Sequence, residues 1–456
     1  MQAKERIKLS DHFNYRKLLR FVFPSVVMMV FISIYSIVDG LFVSNFAGEI
    51  PFAALNLIFP LIMILGSVGF MLGTGGNAVI SKALGEGDNE RANRIFSMLV
   101  YTTVVIGICL SVIGISIAPT AARMFARTEK NMSVEDKQKL VEYCTVYARI
   151  ILAALPGFML QNAFQGFFVT AEKPRLGLFV TLFAGMGNVL LDTLFVAVFK
   201  WGIAGAALAT ATNQVVGGIL PIIYFARKND SLLKLGKTSF DGKVLLQVCV
   251  NGLSELMSNV SMSLVTILYN AQLMRIVGIA GVSAYGIMQY IGFIFIGMFI
   301  GYAVGTAPII GFHYGAKNHD ELKNILRKSV TLLFIVGACI TLFSGIFARV
   351  LASVFVSYDE YLLQLTTHGL RIYSIAFLVC GVNIFISAFF TALSNGAISL
   401  LISFARICIF QVITVLVLPI WMGITGVWLS LSVAELCALL LSAFFIFKLN
   451  KNYHYL

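Results

Sequence analysis

Residues 74–95, TGGNAVISKALGEGDNERANRI, share a pattern with residues 304–325, VGTAPIIGFHYGAKNHDELKNI, 230 positions later. Each stretch is a glycine-containing helix end, a glycine beside a polar turn (Gly85 or Gly315) and the charged start of another helix. A second pair, WGIAGAALATA at 201–211 and MGITGVWLSLS at 422–432, is offset by 221 positions. The smaller offset fits a longer outer loop around residues 119–139 in the first half. The sequence therefore predicts a duplicated fold.

The composition places this duplicated chain in a membrane. Of its 456 residues, 59% are hydrophobic and 12% are charged, and the mean hydropathy is +0.90. Soluble domains carry about 25% charged residues. Apolar stretches of about 20 residues, long enough to cross a hydrocarbon core of about 30 Å, recur along the whole chain. Because the backbone must satisfy its own hydrogen bonds in lipid, these stretches are predicted to be α-helical.

We predict twelve transmembrane helices, six in each half. They lie near residues 15–40, 53–80, 95–118, 141–171, 175–199, 202–226, 244–270, 282–312, 327–347, 361–392, 397–420 and 424–447. Six helices per repeat keep both halves in the same orientation, as in parallel repeats about an axis along the membrane normal. The predicted fold is an all-α integral membrane protein with two pseudo-symmetric six-helix bundles around a central cavity. Its parts are an amino-terminal lobe (1–226), a cytoplasmic inter-lobe linker (227–243) and a carboxyl-terminal lobe (244–456).

The positions of lysine and arginine predict that both termini lie in the cytoplasm. With the amino terminus inside, about 22 of the 33 basic residues fall in inner segments and about eight in outer loops. This bias marks cytoplasmic loops. The net charge of +12 is therefore interpreted as a topology signal, and it favours the lipid bilayer over nucleic acid as a partner, so no nucleic-acid partner is expected. The charged lead-in at residues 1–20 has no small-residue cleavage site, so we expect it to be retained.

Ionisable residues inside the predicted spans are candidates for function. Four acids lie well inside spans: Asp39, Asp192, Glu255 and Glu435. A charge at the bilayer centre costs about 2.5–3.5 kcal/mol on insertion scales, so each acid needs a partner, a water-filled cavity or a proton. By the repeat offset, Asp39 corresponds to Tyr269 or Asn270, and Asp192 corresponds to Ile413. The acids were not duplicated with the scaffold, which predicts one cation site in the first half.

Polar side chains accompany the two acids of the first half. Tyr35 lies one helical turn before Asp39, and Asn188 lies one turn before Asp192 on the same helical face. Thr210 ends the GAALAT run of the following helix. Structural interpretations stay open, because Asp39 could satisfy the backbone at a helix end, and Asn188 with Asp192 could form an interhelical hydrogen-bond pair.

At these residues the chain resembles the multidrug and toxic compound extrusion (MATE) family, closest to its DinF-like and archaeal branch within the MOP flippase superfamily. The resemblance covers essentially all twelve spans and the repeat. Its most specific part is Pro24 and Tyr35 leading to Asp39, with the other polar residues of the first half at family-like spacing. It implies that the helix carrying Pro24 can bend, since proline removes one backbone hydrogen bond.

The resemblance also implies an amino-lobe site for a proton or Na⁺. Its members would be Asp39, Asn188, Asp192 and Thr210, with Tyr35 forming a hydrogen bond nearby. Asp39 would be the main coupling acid and Asp192 its partner, with the other two side chains supplying neutral oxygens. Hard cations favour such oxygen ligands, and two neighbouring carboxyl groups also suit proton exchange.

In other branches of the family, a carboxyl-lobe cation site uses an acid in the seventh helix and an aspartate in the tenth. Glu255 resembles the first of these, whereas Asn383 stands where the second is expected. Glu255 could instead receive a cationic substrate. Further candidates for lining the substrate cavity are Met28, Gln161, Gln165, Gln289 and Asn383. Plain helix packing is the alternative interpretation of these side chains.

The predicted function is secondary active antiport, in which organic, cationic and amphipathic compounds are exported in exchange for H⁺ or Na⁺ by alternating access. We expect a monomer in a bacterial or archaeal plasma membrane. No cofactor is expected, and the chain contains no Walker-type phosphate loop and no convergent nucleophile–base set that would indicate an enzyme. The seven scattered cysteines have no metal-type spacing.

Two alternatives stay open. A lipid-linked oligosaccharide or peptidoglycan-precursor flippase would need several cationic side chains in its cavity, whereas only Arg149, Arg371 and Arg406 lie inside spans. A receptor or scaffold without transport would not need acids concentrated in one half of a duplicated bundle.

Overall fold

The computed structural model describes residues 7–43, 46, 48–128, 133–356 and 359–455. The first six residues of the predicted lead-in, and residues 129–132 of the predicted outer loop, lie outside these ranges. The described chain is almost entirely helical and contains no strand. The predicted all-α fold class is therefore confirmed.

Long helices separated by short turns make up the described chain. In order they are α1 (Tyr15–Phe42), α2 (Glu49–Gly85), α3 (Asn89–Thr128), α4 (Val134–Ala153), α5 (Leu155–Thr170), α6 (Pro174–Asp192), α7 (Gly202–Ala226), α8 (Gly242–Ile276), α9 (Ile279–Gly315), α10 (His319–Ile346), α11 (Ala348–Ser353), α12 (Glu360–Tyr373), α13 (Phe377–Ala392), α14 (Gly396–Phe404) and α15 (Gln411–Tyr453). A 3₁₀ turn (Ser374–Ala376) joins α12 to α13. The π-helical segments Thr193–Val198, after α6, and Ala405–Phe410, before α15, interrupt the regular helical pattern.

Each of the twelve predicted spans coincides with helix. Within the described residues, nine helices are long and apolar enough to cross a membrane, or ten when α4 and α5, bent by 55°, form one span. The continuous segment Gly396–Tyr453 has 58 residues, about 87 Å at 1.5 Å per residue, which is too long for one crossing. Gly423, with φ 55°, divides it into the last two predicted spans. The remaining span is α8, which carries Glu255 among several polar residues.

The duplication is visible in the backbone. α2 and α9 begin 230 residues apart and also end 230 residues apart, at Gly85 and Gly315. Residues with positive φ recur at repeat-equivalent positions: Gly48 with Gly278, Gly87 with Lys317, Glu172 with Ser394, and Gly202 with Gly423. Backbone turns with positive φ therefore recur at the helix boundaries of both halves, even where a side chain replaces glycine.

The chain forms two compact units. One comprises Phe31–Gly252, and the other comprises the residues up to Val30 together with those from Leu253 onward. Within the second unit, a Cβ on Gly301 of α9 would lie 2.6 Å from the Cα of Val26, so α9 packs directly on the backbone of α1. Within the first unit, a Cβ on Gly75 of α2 would overlap the Val248 carbonyl oxygen of α8.

Candidate functional site

Helices α1, α6 and α7 bring the predicted cation residues of the first half together. Asp39 lies in the last turn of α1, Asp192 is the last residue of α6, and α6 packs along α7. The Thr210 hydroxyl on α7 donates a hydrogen bond to Asp39 Oδ1 over 3.4 Å. This length is at the upper limit for a hydrogen bond, so the Asp39 carboxyl is only weakly held by threonine.

The carboxyl groups of Asp39 and Asp192 lie against each other, close enough for a side-chain hydrogen bond between them. A carboxylate only accepts, so this bond forms when one of the two groups carries a proton. Asp192 has no exposed surface in the structure, whereas Asp39 is partly exposed. Among the described residues, no donor reaches either carboxyl oxygen of Asp192.

Among the described residues, no basic side chain forms an ion pair with either of these acids. The ion pairs of the described residues include neither Asp39 nor Asp192. Two ionised carboxylates in contact repel each other, and burial in a low-dielectric environment raises the cost. The pair is therefore electrostatically incomplete without a shared proton or a bound cation.

Tyrosine and amide side chains surround the acid pair. The side chain of Tyr35 lies near that of Asn213 on α7. Asn188 is 1% exposed, and its Nδ2 finds no partner among the described residues. Tyr147 of α4 is buried and lies within electrostatic range of both acids. A small cation at the pair could draw on carboxyl, hydroxyl and amide oxygens.

Two residues of this environment, Asn213 and Tyr147, were not predicted from the sequence. Asn213 follows Thr210 by three residues on α7, so the helical period alone could have indicated it. Tyr147 carries no such signal, since only the packing of α4 on α7 brings it near the acids. The predicted residues Tyr35, Asp39 and Thr210 lie in the same environment.

The two predicted glutamines of the first half occupy a different place. Gln161 and Gln165 of α5 are each 8% exposed and line a recess with Thr181 and Pro221. The Asp39 and Asp192 side chains are not among those that line it. A role for the glutamines in holding substrate stays a prediction.

The second half contains an acid cluster of another kind. Nη1 of Arg406 lies 2.9 Å from Oε1 of Glu435, and Glu435 is 1% exposed. Asn383 of α13 donates through Nδ2 to Glu435 Oε2 over 2.7 Å and to the Glu435 carbonyl oxygen over 2.8 Å. Glu255 on α8 is half-buried and lies within electrostatic range of Arg406. These residues were predicted to lie inside spans, but their ion pair was not predicted.

Three further predicted residues take these positions. Pro24 is buried inside an α1 that continues past it. Met28, one turn later, is 2% exposed. Gln289 of α9 is half-buried, and its Nε2 lies 3.5 Å from Thr266 Oγ1.

Comparison with known proteins identifies the family. The MatE profile matches residues 24–194 and 256–417, which together exceed half of the chain. The chain belongs to the MatE family. The predicted resemblance is thereby confirmed, and this MatE protein is a multi-pass membrane transporter.

Relatives of this MatE protein cover nearly its full length. The multidrug export protein MepA of Staphylococcus haemolyticus is 23% identical and aligns with 99% of this chain and 97% of its own. MepA of Staphylococcus aureus is 22% identical, with 93% and 92% covered.

Solved structures share the fold of this MatE protein. A MATE crystallised in complex with MaL6 superposes with a TM-score of 0.89 at 22% identity, covering 99% of this chain and 100% of the other. A MOP superfamily transporter from Pyrococcus furiosus superposes with a TM-score of 0.88 at 21% identity, covering 100% of both chains. At these identities, the likeness establishes the fold alone.

Proposed function

We propose that this MatE protein is a secondary active antiporter that exports organic, cationic and amphipathic compounds in exchange for H⁺ or Na⁺. The observation that carries the proposal is the contact of the Asp39 and Asp192 carboxyl groups, without a basic partner among the described residues. Such a pair exists stably in lipid only when a proton or cation is bound, and it becomes strongly repulsive when that ion leaves.

The ion could act on the conformation through α1. Asp39 lies fifteen residues after Pro24 on this helix. Proline lacks the N–H that would bond to the preceding turn, so bending there costs less than elsewhere in the helix. Ion binding favours one conformation only by the difference in its affinity between the two. In the proposed alternating-access cycle, loss of the ion and binding of substrate favour one state, and ion binding favours the other.

The substrate class rests on the relatives and on the second half. The relatives in Staphylococcus are named as multidrug export proteins. The half-buried carboxyl of Glu255 supplies a negative charge for an organic cation. In this proposal the protein works as a monomer in a bacterial or archaeal plasma membrane, with both termini in the cytoplasm and without a cofactor.

A flippase for polyanionic lipid precursors is less well supported. Such a protein needs several cationic side chains that are free to bind phosphate. Of the three arginines inside predicted spans, Arg406 is neutralised by Glu435 at 2.9 Å. The structure therefore favours the exporter.

Fluorescent-cation efflux in everted vesicles tests the proposal, with H⁺ and Na⁺ gradients imposed separately. We expect one gradient to drive efflux by the wild type and Asp39→Asn to abolish that drive. Asp241→Asn, a change at an exposed loop acid, is the matched control and should behave as wild type. Absence of gradient-driven transport of organic cations in the wild type would refute the antiporter, and normal coupling in Asp39→Asn would refute the acid-pair site.

A further inference from the structure

Arg406 belongs to the π-helical segment Ala405–Phe410. Its guanidinium donates a hydrogen bond to the buried carboxylate of Glu435 on α15. The Arg406 side chain is 14% exposed and that of Glu435 is 1% exposed. Asn383 donates to the other carboxylate oxygen. Both oxygens of Glu435 are thus satisfied by side chains of the protein itself, and no external ion is needed to keep this carboxylate charged.

The repeat shows that the base and the acid distinguish the second half together. At an offset of 221, Arg406 corresponds to Gly185 and Glu435 corresponds to Gln214, whereas Asn383 corresponds to another asparagine, Asn162. A Cβ on Gly185 would lie 2.5 Å from Phe31 Cε1, so aromatic side chains of α1 fill the space beside that glycine. The first half has neither the arginine nor the acid at these positions.

Without Arg406, the second-half cluster would contain the same chemical groups as the cation site of the first half. It would hold Glu435 beside the asparagine Asn383, and a second acid, Glu255, within electrostatic range of position 406. The first half holds Asp39, Asp192 and Asn188. In a low-dielectric environment, a carboxylate is stabilised by a proton, by a bound cation or by a cationic side chain. In the described part of the first half, no cationic side chain pairs with Asp39 or Asp192, whereas Arg406 pairs with Glu435 in the second half.

We propose that Arg406 is a tethered cation that takes the place of an exchangeable ion at Glu435 and thereby sets the number of ions exchanged per transport cycle. This inference rests on the proposed antiport. Arg406 is a positioning and specificity-determining residue, because it acts through Glu435 and not on the substrate. Removal of its charge turns Glu435 into a second exchangeable carboxyl group.

The test measures ion stoichiometry in proteoliposomes. At static head, the slope of the logarithm of the substrate ratio against the logarithm of the imposed ion ratio gives the ions exchanged per substrate. We expect Arg406→Gln to raise this slope by about one, and Arg406→Lys, which keeps the charge, to retain the wild-type slope. Glu435→Gln should also retain it. An unchanged slope in a folded, transporting Arg406→Gln protein overturns the inference, as does a slope reduced by about one in Glu435→Gln.

A second measurement does not depend on transport. Infrared spectra of the purified protein, recorded against pH and Na⁺ concentration, report the carboxyl bands directly. We expect a titrating or Na⁺-sensitive band in Arg406→Gln that disappears in Arg406→Gln/Glu435→Gln. A titrating band in the wild type that Glu435→Gln removes overturns the inference. If the wild type transports nothing under either gradient, the antiport proposal fails while the spectra still decide the state of Glu435. If Arg406→Gln does not fold, the wild type and Glu435→Gln decide it.

Discussion

The two halves of this MatE protein solve one electrostatic problem in different ways. In the first half, Asp39 and Asp192 lie close together, and Thr210 supplies a hydroxyl group, without a basic partner among the described residues. In the second, Glu435 is paired with Arg406 at 2.9 Å and held by Asn383 at 2.7 Å. In the proposed antiport, the first arrangement binds an exchangeable ion, whereas Arg406 supplies a fixed cation in the second. Under this proposal, a single basic residue in one half of a duplicated scaffold restricts ion exchange to the other half.

The largest effect on stability is expected when the second-half pair is broken from one side. Arg406→Ala leaves the buried carboxylate of Glu435 without its counter-charge, and breaking a buried pair in this way costs about 3–5 kcal/mol. Arg406→Met/Glu435→Leu removes both charges and should recover most of the loss. Thermal unfolding in detergent measures both variants. If Arg406→Ala were as stable as wild type, the assignment of a buried ion pair would be contradicted.

Removal of one acid from the first half should preserve stability and impair gradient-driven transport. Asp192→Asn relieves the repulsion between the carboxyl groups, so the protein should be at least as stable as wild type. Gradient-driven flux should nevertheless fall at least about tenfold, which corresponds to about 1.4 kcal/mol in the driven step. Vesicle efflux and thermal unfolding of the same preparation give the two values. Lower stability together with retained coupling would reverse the roles of the two halves.

The space beside Gly185 should tolerate no side chain. In Gly185→Val the new atoms collide with the rings of Phe31 and Tyr35, and overpacking of this kind typically costs about 1–3 kcal/mol. We also expect weaker ion coupling, since Tyr35 would move relative to Asp39. Gly187→Ala is the control, because a Cβ at Gly187 meets nothing within 4 Å. Equal stability of the two variants would show that α1 does not require this glycine.

The smallest effect should come from Thr210. Its hydrogen bond to Asp39 is long, at 3.4 Å, and removal of a single hydrogen bond costs about 0.5–1.5 kcal/mol. Thr210→Val should therefore weaken the apparent ion affinity by about threefold to tenfold, measured as the ion concentration for half-maximal efflux. Thr212→Val, which removes a hydroxyl bonded within its own helix at Leu208, should leave the affinity unchanged. Equal effects in the two variants would remove Thr210 from the site.

The sequence predicted the parts of the structure that one-dimensional patterns determine. Span length and apolar content indicate twelve helices because the bilayer imposes one thickness on all of them. Repeat offsets predicted the duplicated halves, and the matched positive-φ residues, such as Gly48 and Gly278, are its structural counterpart. Asp39 and Asp192 were identified as candidates because a charged side chain in a membrane span has a high free-energy cost and therefore indicates a functional site.

Contacts between side chains on different spans could not be predicted from the sequence. Arg406 and Glu435 were each visible, but they are 29 residues apart on different predicted spans, and no local rule joins them. Tyr147 was missed for the same reason, since its approach to the acids depends on how α4 packs on α7. A comparison of repeat-equivalent positions was the available signal. The replacement of Gly185 and Gln214 by Arg406 and Glu435 adds one charge of each sign together.

The most direct test measures ion release when a fluorescent organic cation binds to the purified protein, in the wild type, Asp192→Asn and Glu435→Gln. A pH indicator in weak buffer detects protons, and a Na⁺-selective electrode detects Na⁺. The account predicts release of one ionic species by the wild type, an equal amount by Glu435→Gln, and none by Asp192→Asn. Release that is lost in Glu435→Gln and retained in Asp192→Asn would place ion exchange in the second half and contradict the account.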